Sequence, residues 1–218
     1  GGEDLLSACR AVDPDVTAWD VAVTLLERDH QTLHGGLTNL WYLLLTHPDA
    51  LSQIGADARL LKQAYLESLR HSPAVLTAQV FSRHEVERFG RLLPEGSLLM
   101  LSAAAANRDP RVFEDPEQFA PGRADLTQRE PRGQYRADGL ASGISFGTGQ
   151  PSRHPALPED RPRSRYALNR DVVVKASMQL LNRLGRPELT PGAEPQLTAL
   201  SLGEMHTCWS LPVTFRAR

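Results

Sequence analysis

The chain reads as a mainly α protein with a small β portion, an α+β fold, and three observations carry that expectation. Leu26, Leu33, Leu37, Leu40, Trp41 and Leu44 recur at intervals of three, four and seven, which draws one apolar stripe along a helix. Between residues 75 and 104 the apolar residues gather into short runs without that spacing, as strands do. From Ala120 to Arg165, Pro, Gly and Arg accumulate with no period at all, which reads as loop.

Taken in order, residues 4–11 make a short amphipathic piece. Pro14-Asp15 opens a long helix expected over 14–46, ended by His47-Pro48-Asp49. Extended backwards, its stripe takes in Trp19, while Val21, Leu25, Leu43 and Leu45 fall off it and are expected to be exposed. A short helix follows over 48–54, then another over 56–71. Pro73 closes the latter, because the residue before a proline is pushed out of the helical region. The β portion, 75–104, holds strands at Val75–Ser82, at Val86–Leu93 with a turn at Phe89-Gly90, and at Ser97–Ala104. A helical turn is expected at Asn107–Phe113. After the 120–165 loop a helix runs over 167–184, broken by Gly185 and Pro187. A strand pair around Gly203-Glu204 closes the chain over 197–215. One domain over 1–218 accounts for all of it, and no internal repeat is visible.

Composition narrows the function. With 41% hydrophobic and 23% charged residues the chain has the make-up of a soluble globular protein, expected in the cytoplasm. A net charge of −2 provides no global field for nucleic acid or an anionic membrane. The longest apolar run, Leu40–Leu45, is far too short to span a bilayer, and no signal peptide is visible. Cys9 and Cys208 lie near opposite ends and read as two reduced thiols rather than a disulfide. His30 and His34 have the i,i+4 spacing that suits zinc, but His-Gln-Thr-Leu-His lacks the glutamate of a metalloprotease helix. They read as surface histidines, and no metal site is expected.

The motifs say more. Residues 144–154 read Ile-Ser-Phe146-Gly147-Thr-Gly149-Gln-Pro151-Ser-Arg153-His154, similar to the F-G-x-G-x-H-x-C loop of the cytochrome P-450 family, the haem-thiolate monooxygenases. Asp29-His30-Gln31-Thr32 falls where that family has A-G-x-(D/E)-T. Glu67-Ser68-Leu69-Arg70 fits its E-x-x-R. Asn107-Arg108-Asp109-Pro110, Asp115-Pro116 and Phe119-Ala120-Pro121-Gly122-Arg123 resemble its N-R-D-P, D-P-x-x-F and F-x-P-x-R stretches. The order is the family's, and only the second half of the usual domain is matched. The chain therefore resembles a truncated member of that superfamily, with 120–165 as its meander and degenerate cysteine loop.

The resemblance implies a structural triad of Glu67, Arg70 and Arg123, a carboxylate between two guanidiniums that fixes the meander to a helix. It also implies lost chemistry. Arg153 stands at the iron-ligand place, and a guanidinium stays protonated with no lone pair to give. Arg28 and Asp29 replace the two small residues above the haem. Gln31, an amide, replaces the acid that relays protons, and only Thr32 of that pair remains. Val80 falls near the arginine that grips a haem propionate. His154 adjoins the ligand place, but Pro155 follows it and the spacing is wrong. Haem is therefore expected to be absent, and no residue is assigned to catalysis.

Two functions stay open on these grounds. One is a haem-free protein that works by contact, as a homodimer or as an auxiliary partner in a natural-product pathway, like the cysteine-lacking relatives that stabilise glycosyltransferases. Exposed apolar surface along 14–46 and open strand edges would serve that role. The other is a monooxygenase or oxidoreductase that needs a second chain or an unusual ligand to hold haem.

Overall fold

In the computed structural model the described residues are 4–27, 30–55, 57–88, 90–127, 165–200 and 205–215. The first helix, α1, is Leu5–Val12; the Asp4 carboxylate accepts the Ser7 N–H at 2.7 Å and caps it. None of its residues is buried.

The stretch expected as one helix from residue 14 begins at Ala18. A reciprocal cap sets that start: the Thr17 N–H donates to the Asp20 carboxylate at 2.8 Å and the Asp20 N–H to the Thr17 hydroxyl at 3.1 Å. Helix is described over Ala18–Glu27 (α2) and His30–Thr46 (α3), with residues 28–29 outside the described set.

The stripe needs correcting at both ends. Trp19 is 73% exposed, whereas Leu43 and Leu45, placed off the stripe, are 2% and 9% exposed. The cause is tertiary. Helix α3 touches Pro48–Ile54 (α4), Ala58–His71 (α5), Arg165–Leu184 (α7) and strands at Pro187–Leu189 (β5) and Met205–Ser210 (β7), so its later turns are enclosed on several sides. A helix that is apolar all round is one that lies inside. Leu40, Leu43 and Leu44 join Leu61 and Tyr65 of α5, Val173 and Leu181 of α7, and Phe113 and Phe119 in one core.

Two glycines let α3 approach its neighbours closely. A Cβ on Gly35 would stand 2.6 Å from Ala74 Cβ and 2.7 Å from Thr207 Cγ2. One on Gly36 would stand 3.0 Å from the Tyr65 hydroxyl. Four residues on, buried Asn39 ties three segments. Its Nδ2 donates to the Ser72 and His206 carbonyls, both at 3.0 Å, and its Oδ1 accepts the Cys208 N–H at 2.8 Å. Trp41 Nε1 donates to Ser177 Oγ at 3.1 Å, joining α3 to α7.

Among the described residues the strands form four antiparallel pairs. Thr77–Phe81 (β1) pairs with Leu98–Ser102 (β4), and Val86–Arg88 (β2) with Arg91–Leu93 (β3), turning at Gly90 with φ +69°. The third expected strand stops at Ser102, because its hydroxyl caps a short helix, Ala103–Ala106 (α6), by accepting the Ala105 N–H at 3.1 Å. The expected closing strand pair is two pairs: Gln196–Leu200 (β6) with β7, and β5 with Val213–Phe215 (β8). Strand β5 begins at Pro187, a residue tolerated at the start of an edge strand, where the sequence suggested only a break.

Candidate functional site

Helix α5 carries the densest polar arrangement. Asp57 starts it, its carboxylate accepting the Arg59 and Leu60 N–H groups at 2.7 and 3.1 Å. Glu67 and Arg70, three residues apart on one face, are each 0% exposed. Their forked pair has Arg70 Nε 2.7 Å from Glu67 Oε2 and Nη2 2.8 Å from Oε1. Arg70 also donates from Nη1 to the Asn107 and Pro116 carbonyls at 3.0 and 2.7 Å, and from Nη2 to the Gln118 carbonyl at 2.9 Å. All five guanidinium N–H groups are thus used, which is what burying that charge requires. Glu67 Oε1 additionally accepts the Ala120 N–H at 3.0 Å.

Arg123 meets Glu67 at 3.4 Å through Nη1, but its closer partner is Asp125, at 2.6 Å from Nε and 3.0 Å from Nη2. It also donates to the Glu114 carbonyl. Burial alone would raise the Asp125 pKa. The Arg123 hydrogen bonds and the Glu114 N–H outweigh it and hold the carboxyl below its usual range. The ring of Phe113, itself buried, lies under both guanidiniums, 5.3 Å from Arg70 and 5.8 Å from Arg123. Asp125, Phe113 and the carbonyls at 107, 116 and 118 are parts of this cluster that sequence reasoning missed. Charge at 125 was visible; its proximity to Glu67, 58 positions away, has no local signature.

Beside this cluster, His71 is held by Ser72 Oγ at 2.9 Å and the Glu117 carbonyl at 3.1 Å. Its ring meets that of Phe119 edge-on at 5.9 Å. Arg108 donates to the His71 carbonyl at 2.8 Å and approaches Glu117 at 3.2 Å. Desolvation lowers the pKa of His71, and desolvation followed by the Arg108 charge lowers that of His206.

Of the other positions singled out by sequence, Thr32 is buried in the first turn of α3, near Gln31 in the chain. Val80 sits on β1, partly exposed. Arg28, Asp29, Phe146, Gly147, Gly149 and Arg153 lie outside the described residues. Among the described residues no group of His, Cys, Asp and Glu is arranged to hold a metal, and no helix is long and apolar enough to cross a membrane. Cys208 is buried on β7 with Sγ 3.5 Å from the Ser210 carbonyl, and Cys9 is half-buried on α1; both are free thiols.

A helical core, an E-x-x-R pair locked to a following meander and short peripheral strand pairs define the architecture of a haem-thiolate fold. The chain belongs to the cytochrome P450 family, whose sequence model matches residues 36–148. It is similar to 6-deoxyerythronolide B hydroxylase of Saccharopolyspora erythraea, 34% identical over 157 residues that are 69% of this chain and 37% of that protein. Among solved structures it resembles CalO2, with 27% identity and a TM-score of 0.65 over 99% of this chain and 49% of the other. It also resembles a protein described among unusual cytochrome P450-like monooxygenases of microbial secondary metabolism, at 26% identity and TM-score 0.65, covering 90% and 46%. The chain spans between about a third and a half of the length of these relatives.

Proposed function

We infer that this member of the cytochrome P450 family works through contact with another polypeptide and does not carry haem-thiolate chemistry. The observation behind this reading is the donor set. By the resemblance of residues 144–154, Arg153 falls at the place of the iron-ligating cysteine, and the chain's two thiols are far from it in sequence, one in an amphipathic helix and one packed into β7. Those residues do not fit a haem-thiolate centre. The Glu67–Arg70–Arg123 cluster supports the other half of the reading. Its hydrogen-bonding capacity goes to holding the meander against α5, a scaffolding task independent of any cofactor.

The likeness to a P450-like protein of microbial secondary metabolism supports, as an analogy only, a role beside a natural-product enzyme. A second reading draws on Thr32, which remains buried in the first turn of α3: a P450-type oxidoreductase whose haem pocket is completed by another chain. Expression with a haem precursor separates the two. Under the contact reading the purified chain is colourless, with no Soret band and no carbon monoxide difference band. A Soret band of one haem per chain overturns that reading and favours the oxidoreductase.

A further inference from the structure

A cleft of about 170 Å³ opens between α3, α7 and the β5–β8 pair. Leu37, Trp41 and Leu45 form one wall, Leu180 another, and Val213 and Phe215 close it; Thr38 is the one polar side chain in the lining. A dry apolar cavity of about 150 Å³ accepts a benzene-sized group, so this cleft has room for large aliphatic side chains. Helix α1 is the complementary feature. It carries Leu5, Leu6, Cys9 and Val12 at helical spacing, is capped by its own Asp4, and buries no residue. An amphipathic helix that touches α2 but leaves Leu5 and Val12 exposed, and an apolar cleft open to solvent, coexist on one polypeptide.

Charge favours bringing them together between copies. Residues 4–20 around α1 hold four exposed aspartates (Asp4, Asp13, Asp15 and Asp20) against Arg10 alone. At the cleft, Arg183, one helical turn beyond Leu180, and Arg186, next to Pro187, are both exposed, with Glu188 the first acid to follow. We propose that α1 of one copy seats its apolar face in the cleft of a second copy, reciprocally, making a two-fold homodimer. This deepens the contact reading and rests on it, naming the surface and the partner. A reciprocal exchange closes on itself and uses each helix and each cleft once.

The 218-residue chain tests this directly by sedimentation. The expected mass is that of a dimer, and Leu5→Asp with Val12→Asp returns it to a monomer with an unchanged circular dichroism spectrum, since both side chains are exposed within their own protomer. Thr38→Cys places a thiol in the cleft within reach of Cys9 of the other copy, giving a reducible dimer that Cys9→Ala removes. A monomeric parent chain, a dimer indifferent to the two aspartates, or a crosslink that persists without Cys9 overturns the proposal. A colourless monomer leaves the contact reading standing with a different partner, whereas a Soret band removes that reading too.

Discussion

Glu67 accepts four hydrogen bonds, three at Oε1 and one at Oε2, and a carboxylate with no exposed surface survives only when it is paired in this way. Replacing it by alanine strands the Arg70 charge and frees the meander at Ala120. Glu67→Ala is expected to cost about 3–5 kcal/mol in urea unfolding, and Glu67→Gln, which keeps the volume but not the charge, less. Arg123→Ala removes the 3.4 Å contact with Glu67 and the bonds to Asp125 and the Glu114 carbonyl, but Asp125 is partly exposed and the buried forked pair stays intact, so the loss is smaller than for Glu67→Ala. Acidity acts through His71. Its lowered pKa means that the unfolded chain takes up a proton first as pH falls below the ordinary value of 6.5. The stabilisation is complete above that value and is lost between it and the folded pKa. The urea midpoint should drop between about pH 7.5 and pH 5.5, and the drop should be shallower in His71→Gln.

The helices show how an element acquires its burial. Periodicity along α3 marked Leu40, Trp41 and Leu44 as inward, and they are. It missed Leu43 and Leu45 because one stripe presumes one neighbour, while several elements surround the later turns. The glycines carry the same information in another form. A Cβ at Gly35 meets two rigid β-carbon neighbourhoods, at Ala74 and Thr207. Gly35→Ala should therefore destabilise the protein by about 1–3 kcal/mol through overpacking, despite a gain in helix propensity of up to about 1 kcal/mol. Gly36→Ala, facing the end of the Tyr65 side chain, should cost less, and thermal unfolding of the two variants makes the comparison.

At the scale of the whole molecule, stability is concentrated where α3, α5, α7 and β7 converge on Asn39 and the leucine core. The β2–β3 hairpin stands apart, with Val86 and Leu93 half-buried and Leu92 exposed. Amide hydrogen exchange should consequently be slowest over Leu40–Leu45 and fastest in β2 and β3. Equal protection in the two regions would contradict this division. Surface is distributed as unevenly as stability. Phe81, Leu98 and Met100 are exposed on the β1–β4 pair, and Trp209 on β7.

The sequence by itself determined the family, the main helices and the 77–102 strands, and the Glu67–Arg70 spacing, because each is written in neighbouring residues or short motifs; it missed α6, β5 and the second closing strand pair. That Arg153 falls at the place of the thiolate is implied by the resemblance of residues 144–154 and belongs to the proposal, since the family match ends at residue 148. Only the tertiary structure decided that Arg123 leans on Asp125, that Asn39 pins three segments, that α3 is enclosed beyond its stripe, and that a cleft faces solvent beside it. Apart from the Arg123–Asp125 pair, two residues apart, these depend on groups tens to more than a hundred residues apart meeting in space, and no local pattern encodes the distance at which they meet.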